Sequence, residues 1–117
     1  MLQLSPQQRI FVAIEPVDFR RGIDGLGAIC RQQLEQNPLE GAVFVFRNRR
    51  ATTIKVLFYD GQGFWLCTKR LSSKKFQWWP QDQHAPSCRL SARELSILLW
   101  NGHPGGARMA EDWRRVA

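Results

Sequence analysis

At 117 residues the chain is long enough for one compact domain and too short for two independent cores. A hydrophobic share of 44% with 23% charged residues is ordinary globular usage, and no apolar run reaches the roughly 18 residues of a membrane span. Seventeen Lys and Arg against ten Asp and Glu leave a net charge of +7, which favours a polyanionic partner, nucleic acid first, although the same charge also serves solubility.

Residues 1–8 carry no basic stretch followed by an apolar stretch and a small-residue cleavage site, so a cytoplasmic protein is expected. Residues 9–14 form the first apolar, β-branched run, the length of one buried strand, and Pro16 ends it. Asp18 or Asp24 can cap the helix predicted over 23–36, where Ile23, Leu26, Ile29, Cys30 and Leu34 recur at helical spacing until Asn37-Pro38. Gly22, Gly25 and Gly27 weaken its first turns, which close packing against a sheet would explain. Gly41 opens a second strand over 42–46, and the polar turn 47–51 follows.

Residues 53–59 alternate, Asp60-Gly61-Gln62-Gly63 turns the chain, and 64–70 returns as the second arm of a hairpin. On this pattern Ile54, Val56, Phe58, Phe64 and Leu66 are expected on one buried sheet face, against the helix that carries Leu26 and Leu34. Phe76-Gln77-Trp78-Trp79 looks like a further strand closed by Pro80, and 80–88 like a loop. Ser91-Ala92-Arg93-Glu94 has the capping-box order and opens a short helix that ends near Asn101-Gly102. The expected fold class is α+β: an antiparallel β meander packed against one main helix, with a short second helix near the C-terminus, in the order β-α-β-β-β-β-α. Residues 1–102 make the domain and 103–117 a C-terminal tail whose large apolar anchor is Trp113.

Arg47, Arg49 and Arg50 in the predicted turn can reach phosphate oxygens without competing for the core. Lys69-Arg70 and Lys74-Lys75 flank another turn and strengthen that reading if both turns share a face. Arg20 and Arg21 stand at a helix entrance, an unusual place for cations, which either a bound phosphate or pairing with Asp18 or Asp24 resolves. Tyr59, Trp65, Trp78 and Trp79 interleave with Lys55, Lys69 and Lys75, a composition shared by base-stacking surfaces and by cores. Strand alternation sends Trp78 and Trp79 to opposite faces, so one of them is a partner-binding candidate together with Trp113.

The acids have local roles: Asp18 and Asp24 suit caps, Asp60 a turn, Glu94 the capping box. A metal nuclease would have to gather Asp18, Asp24 and Asp60. His84 and Cys88 have a ligand-like gap, but with only His103 besides they fall short of a structural zinc set, so neither metal nor cofactor is expected. Cys30, Cys67 and Cys88, an odd number without a C-x-x-C pair, fit reduced thiols.

The ordered strings Val17-Asp18-Phe19-Arg20-Arg21-Gly22-Ile23-Asp24-Gly25-Leu26, Val43-Phe44-Val45-Phe46 with Asn48-Arg49, Lys55-Val56-Leu57, Tyr59-Asp60, Gly63-Phe64-Trp65-Leu66, Lys69-Arg70-Leu71 and Phe76-Gln77-Trp78 with Pro80 are similar, in sequence order, to those of one family. Over roughly residues 9–100 the chain resembles the second-reading-frame accessory proteins, TnpB type, of the insertion sequence sixty-six family. Trp79 and the stretch 103–111 depart from the usual pattern. The resemblance implies a protein encoded beside a separate, larger transposase and needed for transposition, with no settled biochemical activity. The combined expectation is a non-enzymatic accessory protein that binds DNA through its basic turns, or else an adaptor that holds the transposase.

Overall fold

The computed structural model describes residues 7–103. Strands β1 (Ile10–Ala13), β2 (Val43–Arg47), β3 (Thr53–Tyr59), β4 (Phe64–Arg70) and β5 (Ser87–Leu90) form one sheet in the order β4-β3-β2-β1-β5. Helices α1 (Gly22–Gln32) and α2 (Ala92–Leu99) complete an α+β fold. β2, β3 and β4 are the antiparallel meander that the hairpin signals predict. β1 departs from it: it lies parallel to β2, Ile10 opposite Val43, with α1 as the crossover that a parallel pair requires.

The sheet is covered on both faces. On one, Leu26, Ile29, Cys30 and Leu34 pack on Phe11, Phe44, Phe46 and Leu57. On the other, Leu95 and Leu98 of α2, with Phe76 and Trp79, pack on Ile10, Val12, Val43, Val45, Ile54 and Val56. Burial on both sides explains why β1 and β2 are unbroken apolar runs rather than alternating ones. It also divides the residues expected together. Ile54, Val56 and Phe58 face α2, whereas Phe64 and Leu66 face α1, because the register sets Phe58 opposite Trp65 and Leu57 opposite Leu66.

Two further expectations are corrected. Phe76 to Trp79 is not a strand: Phe76 N donates to Ala51 O, and Trp79 turns into the core, 8% exposed, where its Nε1 donates to Ala13 O at 2.8 Å. The fifth strand, Ser87 to Leu90, starts within the predicted loop 80–88 and runs antiparallel to β1. The main helix is also shorter than 23–36. Gln36 N returns to Cys30 O through Glu35 at φ 55°, a left-handed stop made without the usual glycine. The second helix opens as expected, with Ser91 Oγ accepting from Glu94 N and Glu94 Oε1 from Ser91 N.

Candidate nucleic-acid interface

The Val17–Leu26 string builds a corner. Asp18 accepts from Arg20 N at 3.0 Å and caps a 3₁₀ turn, Phe19–Arg21, while Arg20 Nη2 reaches the same carboxylate at 2.7 Å. Gly22, at φ 70°, joins that turn to α1, and a Cβ on Gly25 would collide with the Arg21 Cβ. The motif glycines therefore shape the corner around Arg21 rather than a contact with the sheet. Arg20 pairs with Asp18, and Arg21 is exposed.

Facing the corner is the connection from β2 to β3. Asn48 Oδ1 accepts from Thr52 N at 3.0 Å and Thr53 N at 3.1 Å, and its Nδ2 donates to Thr52 Oγ1 at 2.9 Å. One amide side chain thus fixes a turn in which Ala51 is left-handed and Arg49 and Arg50 point to solvent. Val17 N donates to Arg47 O, which ties the corner to this turn.

Between them lie two adjoining concavities. One is lined by Pro16, Val17, Asp18, Phe19, Asn48, Arg49 and Arg50. The other shares Asp18, Phe19, Asn48 and Arg50 and adds Arg20, Thr52, Thr53, Lys55 and Arg70. Together they make a trough with Arg20, Arg49, Arg50, Lys55 and Arg70 along it and Asp18 as its acid, already paired with Arg20. Thr53 lies opposite Arg70 in the β3–β4 register, and Lys55 Nζ sits 5.0 Å from the Phe19 ring centroid. Such a surface offers guanidinium forks, an ammonium and threonine hydroxyls to an anion with several phosphates.

The other predicted cations are placed differently. Arg47 faces α2's side of the sheet, 5.7 Å from the Trp79 ring, with its Nε buried and unpaired among the described residues; burial lowers its pKa from the ordinary value. Lys69 also lies on that side, donating to Leu99 O beneath Trp100. Lys74 and Lys75 share the trough's end of the sheet, since Leu71 N and Phe76 N bond to Thr52 O and Ala51 O, but they do not line it. Lys55, half-buried in β3, is the trough residue that the basic-turn argument misses; its place on the strand face opposite Ile54 and Val56 was the available signal.

Of the aromatic candidates, Trp79 is a core residue and Trp78 is half-buried against the His103 ring, 5.4 Å away. The exposed tryptophans are Trp65 and Trp100, and Trp113 lies outside the described residues. The three acids of a would-be metal site do not converge. Asp18 is bound to Arg20, and Asp60 caps the β3–β4 hairpin, accepting from Gln62 N, Gly63 N and Trp65 Nε1. Among the described residues no group of three His, Cys, Asp or Glu could hold a metal ion. Nor is any helix among them long and apolar enough to cross a membrane.

The Arg20 hydrogen bonds hold the Asp18 carboxyl at about 2, below its ordinary 3.8. A lowered pKa favours the folded corner above 3.8, and that contribution is lost as pH falls through about 2. A carboxyl NMR titration should therefore find Asp18 with a midpoint near 2; a midpoint near 3.8 would remove the clamp.

Residues 8–104 match the profile of a family described as IS66 Orf2 like protein. The chain is 39% identical over 116 residues to Uncharacterized protein y4jC of Sinorhizobium fredii, covering 99% of this chain and 90% of that protein. It is 36% identical over 118 residues to Uncharacterized protein y4hO of the same organism, covering 97% and 96%. No solved structure matches.

Proposed function

We propose that this chain, which belongs to the IS66 Orf2 like protein family, serves the transposition of an insertion sequence as a non-catalytic accessory protein that holds DNA by its backbone. The observation that carries the reading is the trough, where Arg20 of the corner, Arg49 and Arg50 of the turn, Lys55 of β3 and Arg70 of β4 line one surface and its one carboxylate is already paired. Cations of this kind meet phosphates without reading bases, so binding is largely indifferent to sequence.

The test is a titration of the purified protein with mixed-sequence duplex DNA at several salt concentrations. If all five cations neutralise phosphates, log affinity falls against log salt with a slope of about −4.5. Raising salt from about 50 to about 200 mM then weakens binding on the order of 500-fold. An affinity that does not respond to salt would remove the reading.

A second reading, an adaptor for the separate transposase, is favoured by Trp100, which is 66% exposed at the end of α2. It predicts that Trp100→Ala weakens capture of the element's transposase while DNA affinity and its salt slope stay unchanged.

A further inference from the structure

The outer edge of β4 follows a definite parity. Asp60 N donates to Gly63 O and Leu71 N to Thr52 O at the two ends of the β3–β4 ladder. The odd-numbered residues of β4, Trp65, Cys67 and Lys69, therefore bond inward to β3. Phe64, Leu66, Thr68 and Arg70 turn their N–H and C=O groups to the outer edge, where none of the described residues bonds them. Natural sheet edges are usually short, charged, interrupted by proline or covered. β5, at the other edge, has four residues, follows Pro86 and runs directly into the Ser91 cap. β4 has seven, without proline, and is uncharged until Lys69.

The geometry points to a second copy of this chain on that edge, its β4 antiparallel to this β4 about a two-fold axis through Cys67. In that register the outward groups match: Leu66 exchanges both hydrogen bonds with Thr68 of the second copy, and Phe64 with Arg70. Trp65, 54% exposed and stacked on Phe58, lies opposite Lys69 of the second copy, an aromatic against a cation that would exchange its contacts with Leu99 O and Trp100 for the ring across the axis. Displacing the register by two residues in either direction takes Lys69 off Trp65.

Charge selects the same arrangement. The cations of β4 stand at one end of the strand, so antiparallel pairing carries the two Lys69-Arg70 pairs to opposite ends, whereas parallel pairing would set them side by side on chains that each carry +7. The axis stands perpendicular to the sheet, so the paired sheets are continuous and both basic troughs lie on the same side. The dimer does not depend on DNA being the ligand of the trough.

The experiment is sedimentation equilibrium of the reduced full-length protein, with circular dichroism as the check on folding. The expected result is a reversible dimer. Thr68→Pro removes an outward N–H while leaving the ladder to β3 intact, and it should sediment as a folded monomer. Trp65→Lys, at an exposed position, sets one lysine against another and should do the same; adding Lys69→Glu restores an attractive pair and the dimer. The Cys67 pair across the axis, non-hydrogen-bonded with Cα atoms about 4.5 Å apart, is within disulfide reach. Mild oxidation should therefore cross-link the dimer, and Cys67→Ser but not Cys88→Ser should abolish the link. A wild-type protein that stays monomeric, a dimer indifferent to both Thr68→Pro and Trp65→Lys, or a cross-link through Cys88 overturns the inference. A monomer that still binds DNA with steep salt dependence overturns it and leaves the trough reading intact.

Discussion

Changing Arg50, Lys55 and Arg70 together to alanine should reduce the salt slope of DNA binding from about −4.5 to about −1.8, at about 0.9 per phosphate contact. The same rise in salt, from about 50 to about 200 mM, then costs the variant only about tenfold. The three residues come from the turn, β3 and β4, yet they line one concavity. Arg50 and Arg70 are exposed and contribute little to the core, so the variant should keep its circular dichroism, and its unfolding free energy in urea to within about 0.5 kcal/mol per exposed site. Lys55 is half-buried over Phe19, and Lys55→Gln keeps most of its stem where the alanine proves disruptive. A folded triple variant with the wild-type slope would take the trough out of DNA binding and put the adaptor reading first.

The largest stability effect is expected at Trp79. Its ring is buried with Leu95 and Leu98 beneath α2, its Nε1 bonds Ala13 O of β1, and Arg47 of β2 lies over its face. Trp79→Ala removes all three contacts and should cost about 3–5 kcal/mol in urea denaturation, a large part of the stability of a small domain. Trp79→Phe keeps an aromatic ring but gives up the bond to Ala13, so at least the roughly 0.5–1.5 kcal/mol of that bond is lost. A Trp79→Ala protein as stable as wild type would show that the segment after β4 is not part of the core.

What the sequence made legible followed from burial and local chemistry. The unbroken runs at 9–14 and 42–46 predict buried strands, the Asp60 turn a hairpin, and Ser91 with Glu94 a helix start; each is present. The parallel pairing of β1 was hidden, because an apolar run looks the same beside a parallel or an antiparallel neighbour. Trp78 and Trp79 suggested a strand, since aromatic enrichment reports burial and not the pairing that produces it. Ser87 to Leu90 gives no strand signal, because four residues after a proline carry too little alternation. The facing of Phe64 and Leu66 turned on hairpin parity: with four residues in the connection, even positions of β3 meet odd positions of β4. The trough was partly visible as arginine clusters, but the sequence does not reveal that the corner at Asp18 stands across from the turn at Asn48.

The pairing of β1 with β5 bears on how the chain is made. Ile10 leaves the ribosome 80 residues ahead of its neighbour on that side, Leu90. β2, β3 and β4 are joined by short turns and can associate as soon as they are synthesised, because local contacts cost little loop entropy. Until β5 and α2 arrive, the nascent protein has an apolar β1 open along one side, the kind of unpaired strand edge on which partly folded chains aggregate.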